Sequence, residues 1–158
     1  MTLHDVVRFI HLLSIVLWVG SLVFFSFFAA PSIFKVLPRE AAGDVVGDIF
    51  PKYWAVGYVS SVLALATLVM ISLMEKNFPA VRVLILSVMT AVTFYSGLSV
   101  GTKARAIKAE MRAAEETSAK EELGKGFKKV HAISSALNVV IIVLGVALVF
   151  FTSRSMRL

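Results

Sequence analysis

Four long apolar runs separated by charged stretches set the pattern of this chain. The first occupies residues 6–30, and from Leu12 to Ala30 it contains no ionisable side chain. Three more follow over residues 53–74, 83–101 and 132–152. A hydrocarbon layer about 30 Å thick needs about 20 helical residues to cross it. Lipid offers backbone amides no hydrogen-bond partner, so a run of this kind must be helical. None of the runs alternates as a barrel strand does. The pattern predicts an all-α fold: an integral membrane four-helix bundle forming a single membrane domain over residues 1–158. The first run is too long for the core of a leader peptide and carries Trp18, Phe24, Phe25, Phe27 and Phe28, so it is expected to remain as a span. Tyr53, Trp54 and Tyr58 open the second, where an interfacial aromatic belt belongs.

The connections carry their own signals. Pro31 is expected to end the first span, because proline removes a ladder hydrogen bond. Leu37-Pro38-Arg39-Glu40 reads as the start of a short amphipathic helix over residues 38–50, and Phe50-Pro51 as its stop. Glu40, Asp44 and Asp48 share one face of it and Val45, Val46, Ile49 and Phe50 another. Those acids are expected to meet water or to pair with Lys103, Arg105 or Lys129. Glu75-Lys76-Asn77-Phe78-Pro79 is a tight turn, which makes spans two and three antiparallel neighbours. Residues 102–130 read as a helical hairpin outside the membrane. Ala104, Ile107, Met111 and Ala114 form a helical stripe on its first arm. Ser118-Ala119-Lys120-Glu121 fits a capping box for the second arm. Gly124 and Gly126 should weaken that arm by about 1 kcal/mol each.

Composition sharpens the picture in three ways. Apolar residues make up 58% of the chain and mean hydropathy is +0.86, beyond a soluble domain of this size. Cysteine is absent, which excludes disulfides, thiolate nucleophiles and Cys-ligated metals. The net charge of +6 fits lipid headgroups and topology, with the lipid bilayer as the partner; no basic soluble face is available for nucleic acid. Lys35, Arg39 and Lys52, with Lys103, Arg105, Lys108, Arg112, Lys120, Lys125, Lys128 and Lys129, lie at one end of the bundle. Arg8, Lys76, Arg82, Arg154 and Arg157 lie at the other. Lys and Arg accumulate on the cytoplasmic side, so the long connections are expected in the cytoplasm and both termini outside an inner (cytoplasmic) membrane.

Ionisable and polar residues within the spans are the candidates for chemistry, because burying them in lipid is costly. Arg8 and His11 sit three apart on span one and share a face with Trp18. The alternative is that Arg8 reaches to the headgroups and His11 hydrogen-bonds a neighbouring helix. His131, Ser134 and Asn138 put polar groups along one side of span four, as a solute lining or as an interhelical seam. Two histidines on two helices raise the thought of a bis-histidine haem b. His11 and His131 should, however, lie on the order of 20 Å apart along the membrane normal. Only a haem held by His11 alone, or by His11 of two subunits, survives that geometry. Met70, Met74 and Met89 could bind a soft metal, or simply pack. Gly57 and Ser61 on span two, and Gly97 and Gly101 on span three, have the small-xxx-small spacing of close helix packing and of homo-oligomer contacts. No nucleophile–base pair, phosphate loop or strong metal-ligand spacing is present, so no catalytic residues are assigned.

His11-Leu12-Leu13, Trp18-Val19-Gly20 and Phe24-Phe25 resemble the opening of the transmembrane protein 205-like family, which is domain of unknown function 4149. The likeness runs through Ala30-Pro31, Phe34, Leu37-Pro38-Arg39, Ala42-Gly43 and Phe50-Pro51-Lys52-Tyr53. Phe127, His131, Ser134 and Asn138 resemble its closing signature, F-x-x-x-H-x-x-S-x-x-x-N. The resemblance implies four membrane helices and no established reaction. The opening His-x6-Trp-x-Gly is also similar to the copper resistance D and membrane protoporphyrinogen oxidase groups, in which further histidines complete a copper or haem site. This chain has only three histidines.

Three readings stand open on the sequence. The first is transport of, or resistance to, a small solute or metal ion, lined by Arg8, His11, Trp18, His131, Ser134 and Asn138. The second is a haem-binding or redox membrane protein using His11. The third is a structural or assembly protein whose cytosolic hairpin docks a protein partner.

Overall fold

The computed structural model describes residues 1–155; Arg157, counted above among the cations of one end, lies outside the described residues. Four helices carry the chain: α1 Leu3–Val36, α2 Arg39–Glu75, α3 Ala80–Ala113 and α4 Thr117–Ser155. No strand occurs among the described residues. Each helix is long and apolar enough to cross a membrane. At 1.5 Å per residue, helices of 34 to 39 residues are about 50–60 Å long. That is nearly twice the hydrocarbon thickness. All four therefore continue past the bilayer, and the excess of each falls at the same end of the bundle. Residues 31–36, 39–52, 102–113 and 117–131 make a helical stalk there.

The helices run up and down and pack as a closed ring, α1 on α2, α2 on α3, α3 on α4 and α4 back on α1. Buried Ile15, Trp18, Leu22, Ala64, Leu68, Leu86, Met89, Ile141 and Leu148 fill the centre. Large apolar side chains cover the outside: Phe9, Val16, Phe24, Phe28, Val59, Leu73, Leu84, Leu98, Val143 and Val146 are all more than half exposed. A soluble protein does not present such a surface. A lipid-solvated one does.

Two boundaries differ from the sequence reading, and proline is involved in both. Helix α1 passes through Pro31 to Val36. A wide π-turn over Phe25–Ala29 precedes it, with the Ala30 N–H donating to the Phe25 carbonyl. The ladder is already out of step there, so the donor that Pro31 lacks disrupts little. Pro51 likewise stands inside α2, and the amphipathic segment 38–50 is the first part of that helix and not a separate one. The rings of Phe25, Phe50, Tyr53 and Trp54 crowd around this point, with centroids 5.1–6.4 Å apart. That packing holds both sides of the proline in line. In a membrane helix neighbouring elements make such a proline tolerable.

Helix ends follow capping chemistry. Thr2 and Asp5 form a reciprocal capping box at the start of α1. The Ser118–Glu121 box does not form: α4 begins at Thr117, and the Ser118 hydroxyl donates to the Glu116 carboxylate at 3.5 Å. Helix α2 ends with Lys76 in the left-handed region, φ 51°, its N–H donating to the Ser72 carbonyl. The Ser72 hydroxyl donates to the Asn77 carbonyl at 2.8 Å, closing the turn.

The stalk is tied across its helices. Lys108 Nζ on α3 donates to the Gly43 carbonyl at 2.7 Å and to the Asp44 carboxylate at 2.8 Å, and Arg112 also donates to Asp44. The Lys108 ammonium bound to Asp44 holds that carboxyl below the usual carboxylate range. Asp48 pairs with Lys52 at 2.6 Å. The acidic face therefore pairs with Lys108, Arg112 and Lys52, and not with Lys103, Arg105 or Lys129. Because α2 runs unbroken through Pro51, Asp44 stands level with Lys108, about two turns beyond the span. Gly124 and Gly126 face the other arm: a Cβ on them would meet Met111 at 3.9 Å and Ile107 at 4.0 Å. An added methyl group would make ordinary van der Waals contact at either position, so the spacing of the arms does not require glycine there.

Candidate functional site

The polar residues of the spans point inward, and they fall at three levels. Nearest the terminal end lies His11, 2% exposed. Its Nδ1 is 3.0 Å from the Ala64 carbonyl and 3.1 Å from Thr67 Oγ1 on α2. A carbonyl only accepts, so Nδ1 carries the proton. The Thr67 hydroxyl donates to the Leu63 carbonyl at 2.6 Å, which leaves its oxygen free to accept from the ring. Nε2 is then the ring's lone pair, sealed from solvent and without a partner among the described residues. Such an atom can take a proton or ligate a metal centre.

At the middle level Trp18 of α1, Gly57 of α2 and Thr93 of α3 converge. A Cβ on Gly57 would lie 3.2 Å from Thr93 Cγ2 and 3.8 Å from Trp18 Nε1. A small cavity of about 10 Å³ lies between Trp18, Leu22, Tyr53, Trp54, Gly57 and Thr93. That is room for about one water molecule. Trp18 Nε1, the Tyr53 hydroxyl and Thr93 Oγ1, all on residues lining this cavity, are buried with no partner among the described residues. Ser60, Ser61 and Ser96 add buried hydroxyls nearby in sequence.

At the stalk end an aromatic plug closes the bundle. Phe25, Phe50, Tyr53 and Trp54 pack together, Trp54 stacks on Tyr58, and Tyr58 stacks on Phe94 with centroids 4.6 Å apart. Gly97 makes the room: a Cβ there would fall 1.8 Å from the Tyr58 hydroxyl oxygen and 2.8 Å from Cζ. At Gly101 the nearest side-chain atom to such a Cβ is Trp54 Nε1, at 3.4 Å. Gly97 and Gly101 thus seat aromatic rings of α2 within one chain, and Ser61 is wholly buried. A second π-turn, Ser96–Val100, lies at this level of α3, opposite the one in α1.

The six residues proposed as a lining do not gather on one path. His11 and Trp18 are in the core. Arg8 is at the surface, donating to Glu75 at 2.6 Å, while His4 Nε2 lies 3.1 Å from the same carboxylate oxygen. Both contacts hold the Glu75 carboxyl below its usual range, Arg8 most strongly. His131 is exposed and stacks on Phe127, with centroids 6.0 Å apart. Ser134 and Asn138 are half-buried, and Asn138 Oδ1 is sealed without a partner among the described residues. Met89 is fully buried, whereas Met70 and Met74 are 44% and 42% exposed, so the methionines do not share a site. Among the described residues no cluster of three His, Asp or Glu could hold a metal ion. Thr67, Tyr53, Thr93 and Ser96 were not among the candidates. Leu86, Met89, Thr93 and Ser96 recur at three- and four-residue spacing, which marks the inward stripe of α3.

Residues 13–113 match the family described as Domain of unknown function (DUF4149). The chain belongs to the DUF4149 family. The match runs from Leu13 within α1 to the end of α3, including Pro31 and Pro51, the aromatic plug and the Trp18, Gly57 and Thr93 level; His11 and the Phe127 to Asn138 signature lie beyond it. The chain is also similar to an uncharacterized protein of Aquifex aeolicus (strain VF5), with 52% identity over 48 residues. That stretch is 30% of this chain and 35% of the relative, so the match spans about a third of the relative's length. No solved structure matches. This DUF4149 protein is a four-helix membrane protein.

Proposed function

We propose that this DUF4149 protein passes protons or a small hydrogen-bonding solute through its bundle. The carrying observation is a group of four buried polar atoms that lack a partner among the described residues: His11 Nε2, Trp18 Nε1, the Tyr53 hydroxyl and Thr93 Oγ1. In lipid an unpaired polar group costs more than in water, and a bundle selected only for packing would replace them with apolar atoms. Their order along the axis supports a stepwise path from His11 to the Trp18 level, with the aromatic plug as its gate. The spans contain no carboxylate. A divalent cation would therefore find nothing to neutralise it, which favours protons and small neutral solutes over metal ions.

The Lys and Arg distribution supports an orientation with the stalk in the cytoplasm and both termini outside, in an inner membrane. The test is flux in proteoliposomes holding a trapped pH dye under an imposed gradient. The wild type should dissipate the gradient faster than empty liposomes. His11→Ala and Thr93→Val should slow it severalfold. Wild-type flux equal to that of empty liposomes rejects the reading.

A second reading rests on the open groove between the stalk arms, lined by Ile107, Ala119, Glu122, Leu123 and Gly126. An apolar helix face of a cytosolic assembly partner would fit there. Leu123→Glu should abolish partner pull-down and leave membrane insertion intact. The remaining reading, haem b at His11, is tested by the visible spectrum of the purified protein, where a Soret band would establish it.

A further inference from the structure

Charge on the stalk is sorted by height. Within about two helical turns, or 10 Å, of the end of the apolar runs, every helix carries a cation. These are Lys35 on α1, Lys52 on α2, Lys103, Arg105 and Lys108 on α3, and Lys125, Lys128 and Lys129 on α4. Asp48 is the single acid in this zone, and it pairs with Lys52. Farther out the balance reverses: Glu40, Asp44, Glu110, Glu115, Glu116, Glu121 and Glu122 stand among Arg39, Arg112 and Lys120. Lys108 is committed to Asp44 and Gly43, and Arg112 to Asp44. Lys35, Lys103, Arg105, Lys125, Lys128 and Lys129 are exposed and make no ion pair among the described residues.

We infer that these six cations form a collar that binds the phosphates of anionic phospholipid headgroups. Height supports a lipid over a soluble anion. The collar lies where the lipid-facing apolar surface ends, which is the level of headgroup phosphates. It is spread over α1, α3 and α4, so a ligand distributed in the plane of the bilayer can reach all of it. A soluble polyanion approaching along the bundle axis would first meet the outer acids. The collar also serves as a stop: it resists movement of the stalk into the hydrocarbon and fixes the depth of the bundle.

The test is native mass spectrometry of the detergent-purified full chain with phosphatidylglycerol or phosphatidylcholine at equal concentration. The wild type should retain phosphatidylglycerol preferentially, and added salt should weaken that retention. In a variant combining Lys103→Gln, Arg105→Gln, Lys128→Gln and Lys129→Gln, affinity should fall about fivefold for each cation removed. Lys103→Arg with Lys128→Arg and Lys129→Arg should keep the wild-type preference, as should the outer control Arg39→Gln with Lys120→Gln. Equal retention of the two lipids by the wild type would overturn the inference. So would undiminished phosphatidylglycerol binding in the glutamine variant, or displacement of the lipid by inorganic phosphate at matched ionic strength.

Discussion

Single side chains decide how closely these helices approach. The tightest place is Gly97, whose missing Cβ is the space that the Tyr58 ring and hydroxyl occupy. Gly97→Ala should cost about 1–3 kcal/mol as overpacking, read from the detergent-denaturation midpoint. Removing the ring with Tyr58→Leu in the Gly97→Ala background should recover part of that loss, as expected of residues in contact. Gly145 offers an independent site, since its Cβ would fall 2.8 Å from Val19 Cγ2. His11 makes a different prediction. His11→Leu removes the bond to Ala64 and should destabilise the bundle by about 0.5–1.5 kcal/mol, the range for interhelical hydrogen bonds in membranes. The sequence marked His11, Trp18 and the small residues, because a titratable or small residue in an apolar run stands out. It did not mark Thr67, Tyr53 or Thr93. Hydroxyls are common in membrane helices, and only three-dimensional packing tells that Thr67 meets His11 while those of Tyr53 and Thr93 lack a partner among the described residues.

Whole helices were legible from hydropathy, but their ends were not. Local rules place a stop at Pro31 and at Pro51, and both fail because tertiary contacts override them. At Pro31 a π-turn has already shifted the ladder, and at Pro51 four aromatic rings clamp the chain. The stalk that results depends on Asp44. Its folded-state pKa is depressed by Lys108, so the pair contributes stability above the ordinary carboxylate range and loses it as pH falls through the folded value. Hydrogen-exchange protection in the stalk, taken relative to the intrinsic rate at each pH, should therefore fall below about pH 4 while protection in the spans persists. Asp44→Asn should show the lowered stalk protection already at neutral pH. An unchanged stalk in that variant would remove Asp44 from the account. The turn at Lys76 makes the opposite prediction. A lysine at φ 51° is strained, and Lys76→Gly should raise stability by about 0.5–1 kcal/mol in the same denaturation assay.

At the scale of the molecule, the arrangement follows from two solvents acting on one chain. Lipid selects helices with apolar outer faces, so small and polar groups collect on the axis. Water beyond the bilayer selects charged helical extensions. Because all the extensions fall at one end, the bundle is polar in two senses, with a basic collar and an acidic tip on one side and a short turn on the other. Counting runs was enough to anticipate four spans. The ring order and the gathering of His11, Trp18, Tyr53 and Thr93 along the axis required the packed structure. Which faces meet depends on side-chain shape at positions, such as Gly97 and Gly145, that look alike in one dimension.

Four helices crossing the bilayer place the stalk tip and the α2–α3 turn on opposite sides. The absence of cysteine makes this placement directly testable. Glu116→Cys at the tip, Asn77→Cys at the turn and Val146→Cys on the lipid face can each be probed with a membrane-impermeant maleimide in sealed vesicles of known orientation. The expected result is labelling of residues 116 and 77 from opposite sides and none at 146. Labelling of 116 and 77 from the same side would contradict the account.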